Sequence, residues 1–422
     1  MTAEEAERYL LSLELFGMRF GLDRMRRLMT ALGHPQRRFD SIHVVGTNGK
    51  SSTARMIAAI LARHGLRSGA YLSPHLVSFG ERIRIDDRDL EPAAFAAAIG
   101  RAAHAKELVD RSLADGDSVT QFEVLTAAAY SELALRGVQA AVIEAGLGGR
   151  YDATNVIPSA VQVLTSVGLE HTRWLGPTVT DIAAEKLEVV RPGATLVLGA
   201  RLHPEADAVA AAVARERGAR IVRADSEPRV EVGALGSFQR RNFALARAAA
   251  EAYLGELDPA AVAGAAAEVR VPGRLQIIGR EPLTLVDVAH NPEGMAALAE
   301  SLRAATDAPR GEPSIAGHDR VVAVISILDD KDAAGMLAAL VELCDALVFT
   351  SSQNPRALPP PTLQSLGRQL GGPPSEVVRD PRDALARGRE LAGAGGLVLA
   401  TGSIYLVADL LRPAMQGRAS ML

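Results

Sequence analysis

The stretch Ser41–Ser52, SIHVVGTNGKSS, decides how the chain is read. Ser41–Val45 is rich in β-branched and apolar residues, as a buried strand is. It breaks into Gly46-Thr47-Asn48-Gly49-Lys50, and helical spacing starts at once with Ser51, Ser52, Met56, Ile57, Ile60 and Leu61. Strand, tight loop and helix gather backbone N–H groups and a helix N-terminus at one point and add the mobile charge of Lys50. A polyphosphate is held in this way. The full pattern has a glycine where Val44 stands, so the match is to a shortened form, and a Gly-Lys-Ser triplet also occurs as a surface turn capping a helix.

Composition bounds what surrounds this loop. With 422 residues and 48% hydrophobic content the chain has material for two cores. A net charge of -4 without a dense Lys/Arg cluster argues against nucleic acid as a partner. The single cysteine, Cys344, lies in an apolar helical stretch and reads as a core residue in a reducing compartment. Met1–Phe16 has acidic residues where a signal peptide has basic ones, and no run reaches the length of a membrane helix. A cytoplasmic protein is expected.

Outward from the loop, a helix over Leu22–Leu32 precedes it and a short strand, Arg67–Leu72, follows its helix. The polar segment Ser78–Arg88 then reads as a long irregular stretch, either an active-site flap or a plain surface loop. Helices are predicted over Pro92–Val109 and Thr120–Arg136, and strands over Gln139–Ile143, Ala160–Val167 and Ala194–Leu198. Alternation of this kind builds a parallel sheet, whose ligands gather at the carboxyl ends of the strands. Lys50, Ser73, Glu144 and His171 all fall just past strand ends. Glu144 and Ser73 suit Mg²⁺, a hard ion that takes oxygen ligands. A lone histidine such as His171 is less natural there and is more often a hydrogen-bonded structural residue. Lys186, between Glu185 and Glu188, has the pattern of an exposed helix lysine.

Helices are predicted over Ser237–Leu254 and Pro259–Val269, and Val271-Pro272-Gly273-Arg274 then marks a domain boundary. Beyond it the strand–helix rhythm restarts with Leu283–Val286, Arg320–Ile325, Ala346–Phe349 and Leu397–Ala400. Two Pro/Gly-rich segments, Ala308–His318 and Asn354–Pro361, read as mobile loops. The predicted fold class is α/β, a P-loop domain with a parallel-rich central sheet (residues 1–270), a hinge (271–280) and a smaller Rossmann-like α/β domain (281–422). Polar residues after strands in both domains suggest a cleft between them.

The motifs YLSPHL, TQFE, IEAGLGGRYDATN, LEHTRWLG, IAAEKLEVVRPG, FQRRNFALA, VPGRLQ, DVAHNP, LDDKD and TGSIYLVAD follow HVVGTNGKSS in order. With them the chain resembles the folylpolyglutamate synthase and dihydrofolate synthase family of Mur-type amide ligases, from about Leu22 to about Asp409. The resemblance implies an ATP-dependent ligase that adds L-glutamate to dihydropteroate or a reduced folate through an acyl phosphate, releasing ADP and phosphate. It implies that Thr47, Asn48, Gly49, Lys50 and Ser51 hold the ATP phosphates and that Asn242, Arg274 and Asp287 contact ATP. Ser73, Glu144 and His171 would ligate one or two Mg²⁺ ions, Lys186 would be carbamylated, and His290 would lie near the incoming glutamate. Pterin contacts would fall on Thr120, Gln121, Phe122, Glu123, Tyr151, Asp152 and Ala153. The family prior is a monomer. Ser51 departs from the usual glycine and Tyr151 from a common leucine. A P-loop switch would need an Asn-Lys-x-Asp motif that this chain lacks. A cell-wall Mur-type ligase would carry a further domain ahead of the loop.

Overall fold

The computed structural model describes residues 1–13, 21–225, 230–303 and 317–412. Residues 14–16 of the acidic N-terminal stretch and residues 308–316 of the expected loop Ala308–His318 lie outside them. The chain forms two compact units, one of Met1–Gly233 with Arg241–Val269, the other of Ala234–Arg240 with Arg270–Met421.

The first unit is built on β1 (Asp40–Val45), β2 (Ser68–Tyr71), β3 (Ile83–Ile85), β4 (Arg88–Asp89), β5 (Ala140–Glu144), β6 (Val161–Leu164), β7 (Thr195–Leu198) and β8 (Arg220–Arg223). Their order in the sheet is β4-β3-β2-β5-β1-β6-β7-β8. All pairs from β2 to β8 are parallel, and β3 and β4 add an antiparallel edge. The helices are α1 (Ala3–Ser12), α2 (Asp23–Ala31), α3 (Lys50–Arg63), α4 (Pro92–Asp110), α5 (Gln121–Leu135), α6 (Thr172–Leu175), α7 (Val179–Leu187), α8 (Pro204–Arg217), α9 (Ser237–Leu254) and α10 (Pro259–Glu268). Every residue of β5 is buried, as expected of a parallel strand covered on both faces. Val44 pairs with Glu144 on one side and with Val163 on the other. That register brings the chain out of β1, β5 and β6 at one edge, so Gly46, Ala145 and Thr165 begin neighbouring loops.

Two parts of this unit differ from the sequence expectation. The Ser78–Arg88 segment is not an irregular flap: a 3₁₀ turn at Phe79–Arg82 leads into β3 and β4. The Glu81 carboxylate accepts N–H bonds from Leu76, Val77 and Ser78, and Arg82, fully buried, donates to His75 Nδ1. Polar side chains thus fold the segment through hydrogen bonds that leave no apolar periodicity to read. Strand β6 stops at Leu164 rather than Val167, because Thr165 and Ser166 turn to bind the loop after β1.

The N-terminal helices are tied to the TQFE motif. Thr120 caps α5 in a capping box with Glu123, and Glu123 accepts at both oxygens from the buried Arg24 of α2, 3.1 Å away. Gln121 Nε2 donates to Leu10 O of α1.

The second unit contains β9 (Gln276–Arg280), β10 (Leu283–Val286), β11 (Val321–Ile325), β12 (Ala346–Phe349), β13 (Ser375–Val377) and β14 (Leu397–Thr401), in the order β13-β12-β11-β14-β10-β9. Only the β9–β10 pair is antiparallel. Cys344 is buried in its core. The Asn354–Pro361 segment, expected as a mobile loop, is tied down: Leu358 N–H donates to Ile327 O, and Arg356 O accepts from Asp329 N–H. Those backbone bonds supply the order that its Pro-rich composition does not announce.

Because Arg24 is a buried cation paired with a buried carboxylate, Arg24→Ala strands Glu123 without its charge partner. A loss of about 3–5 kcal/mol is expected, read as a lower urea midpoint at unchanged slope; a shift below about 1 kcal/mol, the range of an exposed pair, would contradict this account.

Candidate active site

The Gly46–Lys50 loop is held from below by residues just past β6. Thr47 N–H donates to Ser166 O, Asn48 N–H to Ser166 Oγ at 2.9 Å, and Gly168 N–H to Thr47 Oγ1 at 3.0 Å. Thr165 Oγ1 donates to Asn48 O at 2.6 Å. Sequence reasoning missed Thr165 and Ser166 by assigning them to the strand; hydroxyl residues at the end of an apolar run were the available signal. Gly46, at φ +150, has no room for a side chain, since a Cβ there would sit 1.9 Å from Thr165 Oγ1. Gly49, at φ +85, caps α3, and a Cβ on it would meet Asn242 Oδ1 at 2.6 Å. Asn242 is therefore beside the loop.

Two lysines converge on the Gly46 carbonyl oxygen. Lys50 Nζ donates to it at 3.0 Å, and also to Thr47 O, while Lys186 Nζ donates to it at 2.9 Å. Lys186 is not an exposed helix lysine: only 4% of it is accessible, because α7 packs against the sheet through Ile182, Ala183 and Leu187 and carries the lysine inward. Burial, and then the neighbouring Lys50 charge, lowers its pKa to about 7 against the opposing pull of Glu170, Asp152 and Glu185. Near neutrality a large share of this amine is unprotonated, and so nucleophilic.

Glu144, at the end of β5 and 1% exposed, has both carboxylate oxygens engaged. Ser51 Oγ donates to Oε1 at 2.8 Å and Ser73 N–H to Oε2 at 3.0 Å. These residues come from the starts of α3 and of the loop after β2, so three elements meet at one carboxylate. Ser51, which replaces a glycine usual in the resembled family, contributes one of the contacts. His171 begins α6 with left-handed backbone (φ 52), is 38% exposed and has Nε2 3.9 Å from Glu170 Oε1.

The glycine-rich run after β5 folds around Asp152. Its buried carboxylate accepts from Leu147 N–H at 2.7 Å and from Thr154 N–H at 3.0 Å, and burial raises its pKa. Gly149 lies against α7, where a Cβ would be 2.4 Å from Lys186 O. Gly146 lies against Phe122, at 2.5 Å by the same measure. Of the TQFE residues, Phe122 thus faces this loop while Thr120, Gln121 and Glu123 serve helix capping and the N-terminal helices. Ala153 is buried and Tyr151 exposed.

In the second unit the motif VPGRLQ folds onto DVAHNP. Asp287, buried after β10, accepts from Leu275 N–H at 2.9 Å and Ala289 N–H at 2.8 Å. Burial raises its pKa, opposed chiefly by the Arg274 charge. His290 Nδ1 lies 2.9 Å from Val288 O. Asn242 and the Gly46–Lys50 loop belong to the first unit, Arg274, Asp287 and His290 to the second. Among the described residues no helix is long and apolar enough to cross a membrane.

Residues 273–404 match the family model "Mur ligase, glutamate ligase domain". The chain is 35% identical to the dihydrofolate synthase/folylpolyglutamate synthase of Mycobacterium tuberculosis over 86% of its own length and 81% of that protein. It is 30% identical to the Bacillus subtilis protein of the same name over 94% and 95%. Among solved structures it resembles Mycobacterium tuberculosis folylpolyglutamate synthase complexed with ADP, at TM-score 0.88 and 33% identity over 97% of each chain. It also resembles Escherichia coli FolC in complex with DHPP and ADP, at TM-score 0.84 and 29% identity over 97% of each chain.

The Lys186 environment sets a pH dependence. Its pKa is about 7 folded and 10.5 in the ordinary, unfolded range, so between these values the unfolded state binds the extra proton and stability rises with pH. Below pH 7 both states are protonated and the cost of the buried charge is fully present. In CO₂-depleted buffer, the melting temperature of the native protein minus that of Lys186→Met should therefore climb from pH 7 toward 10.5. A flat difference would mean that the amine is solvated.

Proposed function

We propose, because the chain belongs to the dihydrofolate synthase/folylpolyglutamate synthase family, that it is an ATP-dependent ligase joining the amine of L-glutamate to a pteroyl or folate carboxylate. The observation that carries this reading is the meeting of Lys50, Lys186 and the Glu144 carboxylate around one clamped glycine loop. A carboxylate is a poor acylating agent, so the γ-phosphoryl group of ATP is first passed to it. The glutamate amine then attacks the acyl phosphate carbonyl, forming the amide and expelling phosphate, with ADP as the other product. Structures of two relatives with ADP are in keeping with this nucleotide.

Within this reading Thr47, Asn48, Gly49, Lys50 and Ser51 are assigned to the phosphates: the start of α3 offers a helix N-terminus and Lys50 an ammonium, while the Thr47 and Asn48 N–H groups, held by Ser166, fix the shape of the loop. Asn242, Arg274 and Asp287 are assigned to the nucleotide as well. Ser73, Glu144 and His171 are assigned to Mg²⁺. The donor set fits a hard cation at its oxygens: a buried carboxylate already oriented by neutral donors, with two serines beside it. Bound there, the ion supplies charge neutralisation at the transferring phosphoryl group.

Lys186 is assigned as a carbamylated lysine. A buried amine with pKa near 7 reacts with CO₂ far more readily than a surface lysine, and the carbamate exchanges a buried cation for an anion beside Lys50. The pterin is assigned to the surface shared by Phe122, Tyr151, Asp152 and Ala153, with Thr120, Gln121 and Glu123 holding Phe122 in place, and His290 to the incoming glutamate. By this reading residues 1–270 are the ATP-binding and pterin domain, 271–280 a hinge and 281–422 the glutamate-ligase domain of a cytoplasmic monomer.

Purified protein with ATP, Mg²⁺ and radiolabelled glutamate, given dihydropteroate or tetrahydrofolate, should release ADP and phosphate with either acceptor. AMP and pyrophosphate would overturn the acyl-phosphate route. Lys50→Ala should keep its melting temperature and lose about two to three decades of turnover, as when one transition-state donor is removed. Activity near that of the native protein would remove Lys50 from the chemistry. Intact-mass measurement should find one added CO₂ on Lys186, and Lys186→Ala should be nearly inactive and partly restored by acetate; an unmodified lysine with an active variant would return it to a structural role.

A further inference from the structure

At the opposite edge of the first unit's sheet, α2 and the residues entering β1, β6 and β7 line an open cavity of about 500 Å³. Its lining includes Arg26, His34, Gln36, Arg37, Ile157 and Arg191. The parallel register of these strands places it about 15–20 Å, a strand length, from the Gly46–Lys50 loop. None of the described lining residues is acidic.

Arg191 is held by neutral groups: its Nη2 donates to Asn155 Oδ1 at 2.7 Å, to Asn155 O at 3.0 Å and to Ile157 O at 3.1 Å. Burial, and then the like charges of Arg217 and Arg26, push its guanidinium below the ordinary value. Two buried polar atoms of the lining, Arg191 Nε and Gln36 Oε1, have no hydrogen-bond partner among the described residues, and Gln36 is only 5% exposed. Buried unpaired groups cost stability unless something completes them. Arg26 and Arg37, both exposed, stand at the mouth as further donors.

We propose that this cavity is a second binding site, for a small polyanion whose oxyanions are closely spaced, either an oligo-γ-glutamate tail or a chain of phosphates. Guanidinium groups match carboxylate and phosphate geometry alike, whereas the unpaired Gln36 Oε1 is an acceptor, which the amide N–H of a γ-glutamate chain would complete and a phosphate chain would not. The site stands on the cavity alone. Only the oligo-γ-glutamate arm rests on the ligase reading, of which such a tail would be the product.

The test is calorimetric titration of ADP-saturated protein with penta-γ-glutamate and, separately, with tripolyphosphate. ADP keeps either probe from the phosphate loop. At least one probe should bind, more weakly as salt rises, and Arg26→Glu/Arg37→Glu should weaken it by about tenfold or more, the loss expected from two charge-assisted contacts. Both residues are exposed, so the double variant should melt normally and keep its ligase turnover. Arg37→Ala alone gives a smaller loss of the same sign. Binding of the glutamate chain only assigns a carboxylate tail, and binding of tripolyphosphate only assigns a phosphate ligand. Binding of neither, or binding that the charge reversal leaves unchanged, overturns the site. A native protein without ligase turnover would overturn the ligase reading and leave this result standing.

Discussion

The Gly46 carbonyl oxygen accepts from two lysines at once, and much of the first unit is arranged to make that contact possible. Lys50 comes from the helix that follows the loop, whereas Lys186 arrives from α7, buried beneath it. Burial, reinforced by the Lys50 charge on the same oxygen, lowers the Lys186 pKa to about 7. Gly46 has to be glycine, since Thr165 occupies the space of any side chain there. Loop shape and loop charge are thus set by the same few contacts.

Rigidity around this point comes from buried polar groups rather than from apolar packing alone. Asp152 gathers backbone N–H groups of the glycine-rich run, and Thr154 connects that run to the sheet through His43 Nε2 at 2.8 Å and to α5 through Tyr130, whose hydroxyl donates to Thr154 O at 3.0 Å. Burial, reinforced by Arg191, pushes the His43 imidazole down to about 3, so it stays neutral and can bridge without importing charge. A run of glycines would otherwise carry a large entropic cost of ordering. Here Gly146 and Gly149 lie where another chain segment leaves no room, against Phe122 and against Lys186 O, and Gly148, with left-handed backbone, lies close to Leu175.

The second unit repeats the principle with other residues. Asp287 is buried and accepts two backbone N–H groups, which fixes the turn between β10 and the helix at Pro292–Arg303, and Arg274 offsets part of its desolvation. In both units a buried carboxylate in the loop after a strand orders the backbone around it. Asp287 is legible in the sequence as a polar residue ending an apolar run, whereas Asp152 lies within the glycine-rich run, and the partners of neither can be read in line.

What the sequence determined by itself was local or periodic: the strand, loop and helix at Ser41–Ser52 and the alternation of strands and helices. Glycine chemistry and apolar spacing act over a few residues, so they can be read in line. Only the tertiary structure decided which side chains meet. Lys186 and Gly46 are 140 positions apart, and nothing in the charged neighbourhood of Lys186 reveals that α7 turns it inward. Thr165 and Ser166 look like the end of a strand until the adjacent loop claims their hydroxyls. Arg26, Arg37 and Arg191 are scattered basic residues until parallel pairing brings the entries to β1, β6 and β7 to one edge, where α2 adds Arg26. Burial changes the chemistry of a charged group more than its neighbours in sequence do, and burial is a property of the packed sheet and helices.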